Sequence, residues 1–304
     1  MKIRIPHRSC LAAGAILFSA ALFAQPKTLK DVTYATVPAE AGKPKVELKL
    51  DIAYPDDALT HPCFVFIHGG GWGMGDKKEV GGFMEMANRG WVVASVNYRL
   101  TEKGKWPFPA QIQDCKEAIR HLRRNAAKYG IDPTRIVVGG GSAGGHLSAL
   151  LGVTNGIDPF VKGTPKDDPE SRIAGVIDMF GPTDFQTMLG AALAPDKRFL
   201  WMTPAADPIF ALFGSKDPEV LKAGFAPASP ITYATAARAK SIPPFLILHS
   251  KGDPLVPVRQ SEILDAKLKE IGAATTLRLY DLNQHSLPPA AGKDIQEFLQ
   301  KFCK

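Results

Sequence analysis

Arg135-Ile136-Val137-Val138-Gly139-Gly140-Gly141-Ser142-Ala143-Gly144-Gly145-His146-Leu147 passes from a β-branched apolar run into a helix-forming one, with a serine set among glycines between them. Three β-branched residues in succession predict a buried strand, and Ala143 to Gly152 reads as a helix. The junction is a strand-turn-helix carrying Gly140-x-Ser142-x-Gly144. A turn of this kind strains its central residue and lifts the hydroxyl out of the sheet, while flanking glycines leave room for strand and helix to approach. Ser142 is the candidate nucleophile. Taken alone, these residues also suit a helix N-cap or a phosphate cradle, although no Lys-Ser/Thr pair follows as in a P-loop.

Apolar β-rich runs recur on either side of this stretch, with helix-like segments between them. Candidate strands are Phe64 to His68, Trp91 to Tyr98, Arg135 to Gly139, Ile173 to Phe180, Phe245 to His249 and Thr276 to Tyr280. Candidate helices are Lys78 to Asn88, Ala110 to Tyr129, Ala143 to Gly152, Val258 to Ile271 and Asp294 to Phe302. Such alternation predicts an α/β fold on a mostly parallel sheet. In the second helix Ile112, Cys115, Ile119 and Leu122 form one apolar stripe, and Lys116, Arg120, Arg123 and Arg124 are expected to point away from it. Alternating Val46, Leu48, Leu50 and Ile52 predict a strand of an antiparallel hairpin, paired with a partner near residues 29–37. Stretches near 155–171 and 187–230, rich in Pro, Asp and Lys, read as insertions in one catalytic domain, the longer one placed to cover a site.

His68-Gly69-Gly70-Gly71-Trp72 follows the strand ending at Ile67. Acyl transfer needs backbone N–H donors aimed at the oxygen that gains charge in the tetrahedral stage, and consecutive glycines let a loop present such a face. Upstream of a serine elbow, this is the pattern of an oxyanion hole. Gly70, Gly71 or Trp72 would supply one donor and Ala143, after the serine, the other. A flexible glycine turn is what the loop would be if it stood alone.

A serine hydroxyl needs a histidine to take its proton and an acid to orient that histidine. In α/β-hydrolases the chain order is Ser, then Asp or Glu, then His. Of the seven histidines only His249 and His285 lie well beyond Ser142. Choosing His249 would leave only Asp178 or Asp184 as the acid, so His285 is the expected base. Asp253, just past the strand ending at His249, is the expected acid; Asp281 competes with it, and a Gly-Asp-Pro turn is the plainer role for Asp253. Asp184 is assigned a structural or binding role.

Together these residues resemble the α/β-hydrolase fold, and within it the HGGG(W)-type carboxylesterases and lipases related to hormone-sensitive lipase, with a likeness to feruloyl and acetyl-xylan esterases. Tyr98-Arg99-Leu100, Phe108-Pro109-Ala110 with Asp114, Ile131-Asp132-Pro133 and Gly252-Asp253-Pro254-Leu255-Val256-Pro257 extend the resemblance over most of residues 30–302. It implies a serine carboxylic-ester hydrolase working through an acyl-enzyme on a small or polysaccharide-linked ester. It departs from the pattern after His285, where Ser286 and Leu287 stand in place of a small residue and an aromatic one. Trp72, Phe199, Trp201 and Phe210 are candidate pocket walls. A prolyl-oligopeptidase-like peptidase, or a silent hydrolase-like binding protein, would carry the same triad residues.

The sequence begins with Lys2, Arg4, His7 and Arg8, then an acid-free apolar run from Leu11 to Ala24 with small residues at Ala20, Ala21 and Ala24. That order predicts a secretory signal peptide, residues 1–24, and export to the periplasm or beyond; a buried first helix is the alternative. Its removal would take Lys+Arg from 37 to 34 against 30 acids, leaving +4 in place of +7. With 45% apolar and 22% charged residues the chain is globular in composition, and its scattered charge offers no nucleic-acid footprint. No run is long enough to hold the processed chain in a bilayer. Cys63, Cys115 and Cys303 would remain, an odd number that leaves at least one thiol free. No zinc spacing and no dinucleotide fingerprint occurs, so neither a metal nor a cofactor is implied. Oligomeric state is not written in the pattern.

Overall fold

The computed structural model describes residues 25–38, 45–101, 105–161, 169–189 and 206–303. The expected leader, Phe199 and Trp201 lie outside the described residues.

Strands β1 (Lys27–Val37), β2 (Val46–Tyr54), β3 (His61–Ile67) and β4 (Val92–Val96) come first, with a kinked 3₁₀ segment, Lys77–Arg89, between β3 and β4. Helices α1 (Ala110–Arg124) and α2 (Ala126–Tyr129) lead into β5 (Ile131–Gly141) and α3 (Ala143–Val153). After β6 (Gly175–Met179) come α4 (Phe185–Leu189), α5 (Ala206–Phe213), α6 (Pro218–Ala228) and α7 (Pro230–Tyr233). The chain then runs through β7 (Phe245–Ser250), α8 (Arg259–Glu270), β8 (Thr275–Tyr280) and α9 (Ala291–Leu299).

The sheet order is β1-β2-β4-β3-β5-β6-β7-β8. β1 and β2 pair antiparallel, β2 meets β4 antiparallel, and every later pairing is parallel. Along β5, Ile136 and Val138 enter the larger core with α1, α3 and α8, while Val137 enters a second core beneath the 3₁₀ segment and α9. Both faces of the central strands are therefore covered. That is why they read as continuous apolar runs; β2 alternates in sequence, yet from Leu50 to Ala53 it too is buried on both faces, with Asp51 paired to Lys77 at 2.8 Å.

The predicted strands and flanking helices are present, the one expected over Ala110 to Tyr129 being divided at Asn125 into α1 and α2, with two further differences. Lys116 does not point away from the core: it is fully buried, its ammonium donating to the carbonyls of Thr154 (3.3 Å) and Ile157 (2.8 Å). The stripe read on α1 is thus half of its buried surface, because the segment after α3 folds over the opposite flank. Second, Lys77–Arg89 is not a regular helix. Gly81 breaks it with φ 56° and ψ −142°, and its start is fixed by Asp76, whose carboxylate accepts the Lys78 N–H while Glu79 accepts that of Asp76.

The register aligns the functional loops. Ile67 of β3 pairs with Gly140 of β5, so the glycine loop leaves the sheet beside the serine turn. Loops after β3, β5, β7 and β8 all emerge at the carboxyl edge, where open α/β sheets place their sites.

Candidate active site

Ser142 sits between β5 and α3 with φ 56° and ψ −120°, a backbone state costing a β-carbon-bearing residue roughly 1–3 kcal/mol. Its N–H donates to Met179 O (2.9 Å), which anchors the turn to β6. The flanking glycines are steric requirements: a β-carbon at Gly140 would lie 2.1 Å from Ile67 O, and one at Gly144 2.0 Å from the same oxygen. The tight β5–α3 corner against β3 thus exists only with hydrogen at both positions.

Across from the turn, His68-Gly69-Gly70-Gly71-Trp72 curls back through φ 93° at Gly70, 57° at Gly71 and 58° at Trp72. Gly70 O accepts from the N–H of Gly73 (3.2 Å) and Met74 (3.0 Å), closing the loop on itself. Among the described residues no carbonyl accepts from the N–H of Gly70, Gly71 or Trp72. Ala143 is the first residue of α3, where N–H groups have no partner inside the helix. The Tyr98 hydroxyl donates to His68 O (3.1 Å) and Gly69 O (3.2 Å) while its ring stacks on the His68 imidazole at 4.3 Å. His68 is buried, which pushes its pKa down; it props the loop from behind and does not line the cavity.

His285 stands on the loop after β8. Its Nδ1–H donates to Asp253 Oδ2 at 2.7 Å, leaving Nε2 as the ring's proton acceptor. The Ser250 hydroxyl donates to Ser286 O and Leu287 packs into the second core, so the residues that depart from the resemblance pin this loop. Asp253 Oδ1 accepts from Leu255 N (2.8 Å) and Val256 N (2.9 Å). Burial alone would raise the Asp253 carboxyl; the imidazoles of His249 and His285 and the two amides outweigh it and hold it well below the usual carboxylate range.

Ser142, His285, Gly70, Gly71 and Trp72 all line one cavity of about 490 Å³. Its walls are otherwise largely apolar, with Phe66, Met179, Phe180, Met188 and Ile209 among them, and Glu79 is its one charged side chain among the described residues. Phe180 meets the His285 ring edge-on at 4.7 Å. Met188, Pro208 and Ile209 bring part of the 187–230 stretch over the site.

The other sequence candidates fall elsewhere. Asp281 is a surface residue paired with Lys251 at 2.7 Å. Asp184 accepts the Gln186 N–H at the start of α4. Asp178 is buried under the serine turn, its Oδ1 accepting from Gly181 N (3.0 Å), and burial pushes its pKa up to about 7. Phe210, a candidate wall, is packed in the core and is not part of the cavity lining; Lys216 lies over its ring at 5.4 Å. Cys63 and Cys115 are buried free thiols and Cys303 an exposed one. His249 was set aside as a base, yet its Nε2 lies 3.4 Å from Asp253 Oδ2, with Val256 O at 2.9 Å and the Ser261 hydroxyl at 2.6 Å from Nδ1. A histidine ending an apolar strand gives no spacing signal for that role. Helices α5 and α6 were also not foreseen, although Asp217-Pro218 is a cap followed by a first-turn proline.

The antiparallel lead-in, the parallel sheet and the serine turn at its carboxyl edge define the α/β-hydrolase fold. The chain belongs to the BD-FAE family, whose model matches residues 50–268. It is 30% identical to the probable carboxylic ester hydrolase LipM of Mycobacterium tuberculosis over 70% of this chain and 46% of that protein. Against esterase LipQ of the same organism the identity is 32%, over 70% of this chain and 47% of the relative. The chain thus spans about half the length of the curated relatives it matches. Among solved structures, a truncated form of a carbohydrate esterase from gut microbiota superposes with a TM-score of 0.73 at 30% identity, covering 94% of this chain and 98% of that one. Esterase Est2 of Thermogutta terrifontis, at 24% identity and a TM-score of 0.64 over 89% of this chain and 90% of that one, shares the fold.

Proposed function

We propose that the chain is an exported serine carboxylic-ester hydrolase, residues 25–304 forming its catalytic domain once residues 1–24 are removed. Ser142 Oγ attacks the ester carbonyl as His285 Nε2 takes its proton, and Asp253 holds the ring in the tautomer this requires. Amides of the Gly70–Trp72 loop and of Ala143 stabilise the oxyanion. The imidazolium then protonates the leaving alcohol, and water, activated by the same nitrogen, releases the acid from the acyl-enzyme. The observation that carries this reading is the 2.7 Å Asp253–His285 bond at the edge of the cavity that Ser142 also lines.

Acylated carbohydrates are the proposed substrate class. The reading draws support from the carbohydrate esterase superposed above; the largely apolar cavity walls suit the acyl group. With p-nitrophenyl acetate and an acetylated sugar, Ser142→Ala is expected to lose about 10⁴-fold or more in kcat while remaining folded; wild-type rates in that variant would refute the assignment. Turnover of aminoacyl arylamides in preference to esters would move the enzyme to the peptidases. For export, full-length chain made in a bacterial host is expected outside the cytoplasm with Gln25 as its first residue. A cytoplasmic product still beginning at Met1 would contradict it.

A further inference from the structure

His146 lies one helical turn beyond Ser142 on α3, completely buried, its N–H donating to Ser142 O at 3.0 Å. The side chain joins two other parts of the fold. Its Nδ1 accepts from the Trp72 indole N–H at 3.1 Å, and its Nε2–H donates to Ala228 O, at the end of α6, at 2.8 Å. A neutral imidazole has one acceptor and one donor, and here both are used in the only tautomer that serves both partners. Burial keeps the ring neutral, pushing its pKa down to about 4. Trp72 and Phe185 both meet it edge-on at 5.3 Å, and Phe185 in turn packs on Phe213 and Phe225 of α5 and α6.

Trp72 is the residue that needs such a hold. Gly70 and Gly71 take left-handed backbone without penalty, but Trp72, at φ 58°, has a β-carbon that opposes it. Its carbonyl accepts from Thr101 N at 2.9 Å, which fixes the far side of the loop. The indole–imidazole bond fixes the near side and refers the loop to the helix that begins directly after Ser142.

We propose that His146 is a positioning residue, which through the Trp72 indole holds the Gly70–Trp72 amides in register with Ser142 and ties them to the helical cover of the cavity. This rests on the reading of Ser142 as nucleophile. An amide displaced by a fraction of an ångström still admits substrate but fails the oxyanion, so the consequence belongs in kcat and not in KM.

The test measures kcat and KM for p-nitrophenyl acetate in the wild-type chain and in Ser142→Ala, Trp72→Phe, His146→Leu and His146→Gln. Trp72→Phe keeps an aromatic ring but removes the indole N–H together with the bulk of the second ring; His146→Leu deletes both bonds. Each is expected to lower kcat about tenfold to a hundredfold with KM within about twofold. His146→Gln, whose amide offers an oxygen to the indole and an N–H to Ala228 O, is expected to return kcat to within about threefold of wild type. Wild-type kcat in Trp72→Phe, a loss expressed in KM alone, or a Gln variant as impaired as the Leu one overturns the proposal. If His146→Leu does not fold, Trp72→Phe decides. An inactive Ser142→Ala beside a fully active Trp72→Phe removes this inference alone, whereas an active Ser142→Ala removes the catalytic reading with it.

Discussion

Asp253 Oδ2 faces two imidazoles, His285 Nδ1 at 2.7 Å and His249 Nε2 at 3.4 Å, and only the first belongs to a ring that reaches the cavity. His249 is sealed in the core and completes the carboxylate's surroundings; His285 keeps Nε2 clear of Asp253 on a ring that lines the same cavity as Ser142. Asp281, four residues from His285 in sequence, spends its charge on Lys251 at the surface. Asp253→Asn is accordingly expected to cut kcat by about 10⁴-fold, because Asn cannot hold the needed tautomer. Asp281→Asn should stay within about threefold, the scale of a surface charge change. Steady-state kinetics on p-nitrophenyl acetate decide between them, and the reverse ranking would transfer the role. That Asp253 would meet His285 could be expected from chain order and from its place past an apolar strand. The hydrogen bonds of His249 could not, because the turn Lys251–Gly252 that folds Asp253 back beneath it has no residue period to reveal it.

At the scale of elements, α1 shows what periodicity conveys and what it conceals. Ile112, Ile119 and Leu122 do face the sheet, but Asp114 and Lys116 are buried as well, since neighbouring loops cover the flanks that a polar residue normally marks as solvent. Asp114 holds the chain beyond β4 to the helix: Arg99 Nη2 donates to Oδ1 (2.7 Å), Arg99 Nε to Oδ2 (2.9 Å), and Arg99 N to Oδ2 (2.8 Å). Burial lifts the Asp114 carboxyl above its ordinary range despite the guanidinium. Asp114→Ala leaves the Arg99 charge and amide without their partner and is expected to cost about 3–5 kcal/mol in urea unfolding. A loss under about 1 kcal/mol, as for an exposed pair, would show that water replaces the carboxylate there. The helices α5 and α6 were hidden for a different reason: short, proline-punctuated segments carry too few turns for a period to emerge, and only the Asp217-Pro218 cap announces one of them.

At the scale of the whole molecule, the sheet brings together loops that the sequence keeps far apart. Gly70 and Gly71 follow β3, Ser142 follows β5, Asp253 follows β7 and His285 follows β8, and the parallel register delivers all of them to one edge. The motifs themselves revealed this assembly because each depends on a local backbone requirement, a glycine approach or a strand end. The cavity they meet in did not show in the sequence, for its walls come from seven or more separate segments and include Glu79 from the kinked 3₁₀ turn. Phosphonylation of the native chain by an organophosphate, followed by peptide mapping, bears most directly on what that convergence is for. One adduct per chain, on Ser142 and absent from Ser142→Ala, with ester hydrolysis lost in proportion to labelling, is the expected result. Full hydrolysis by a chain that takes up no phosphonyl group, or labelling at another residue, would contradict it.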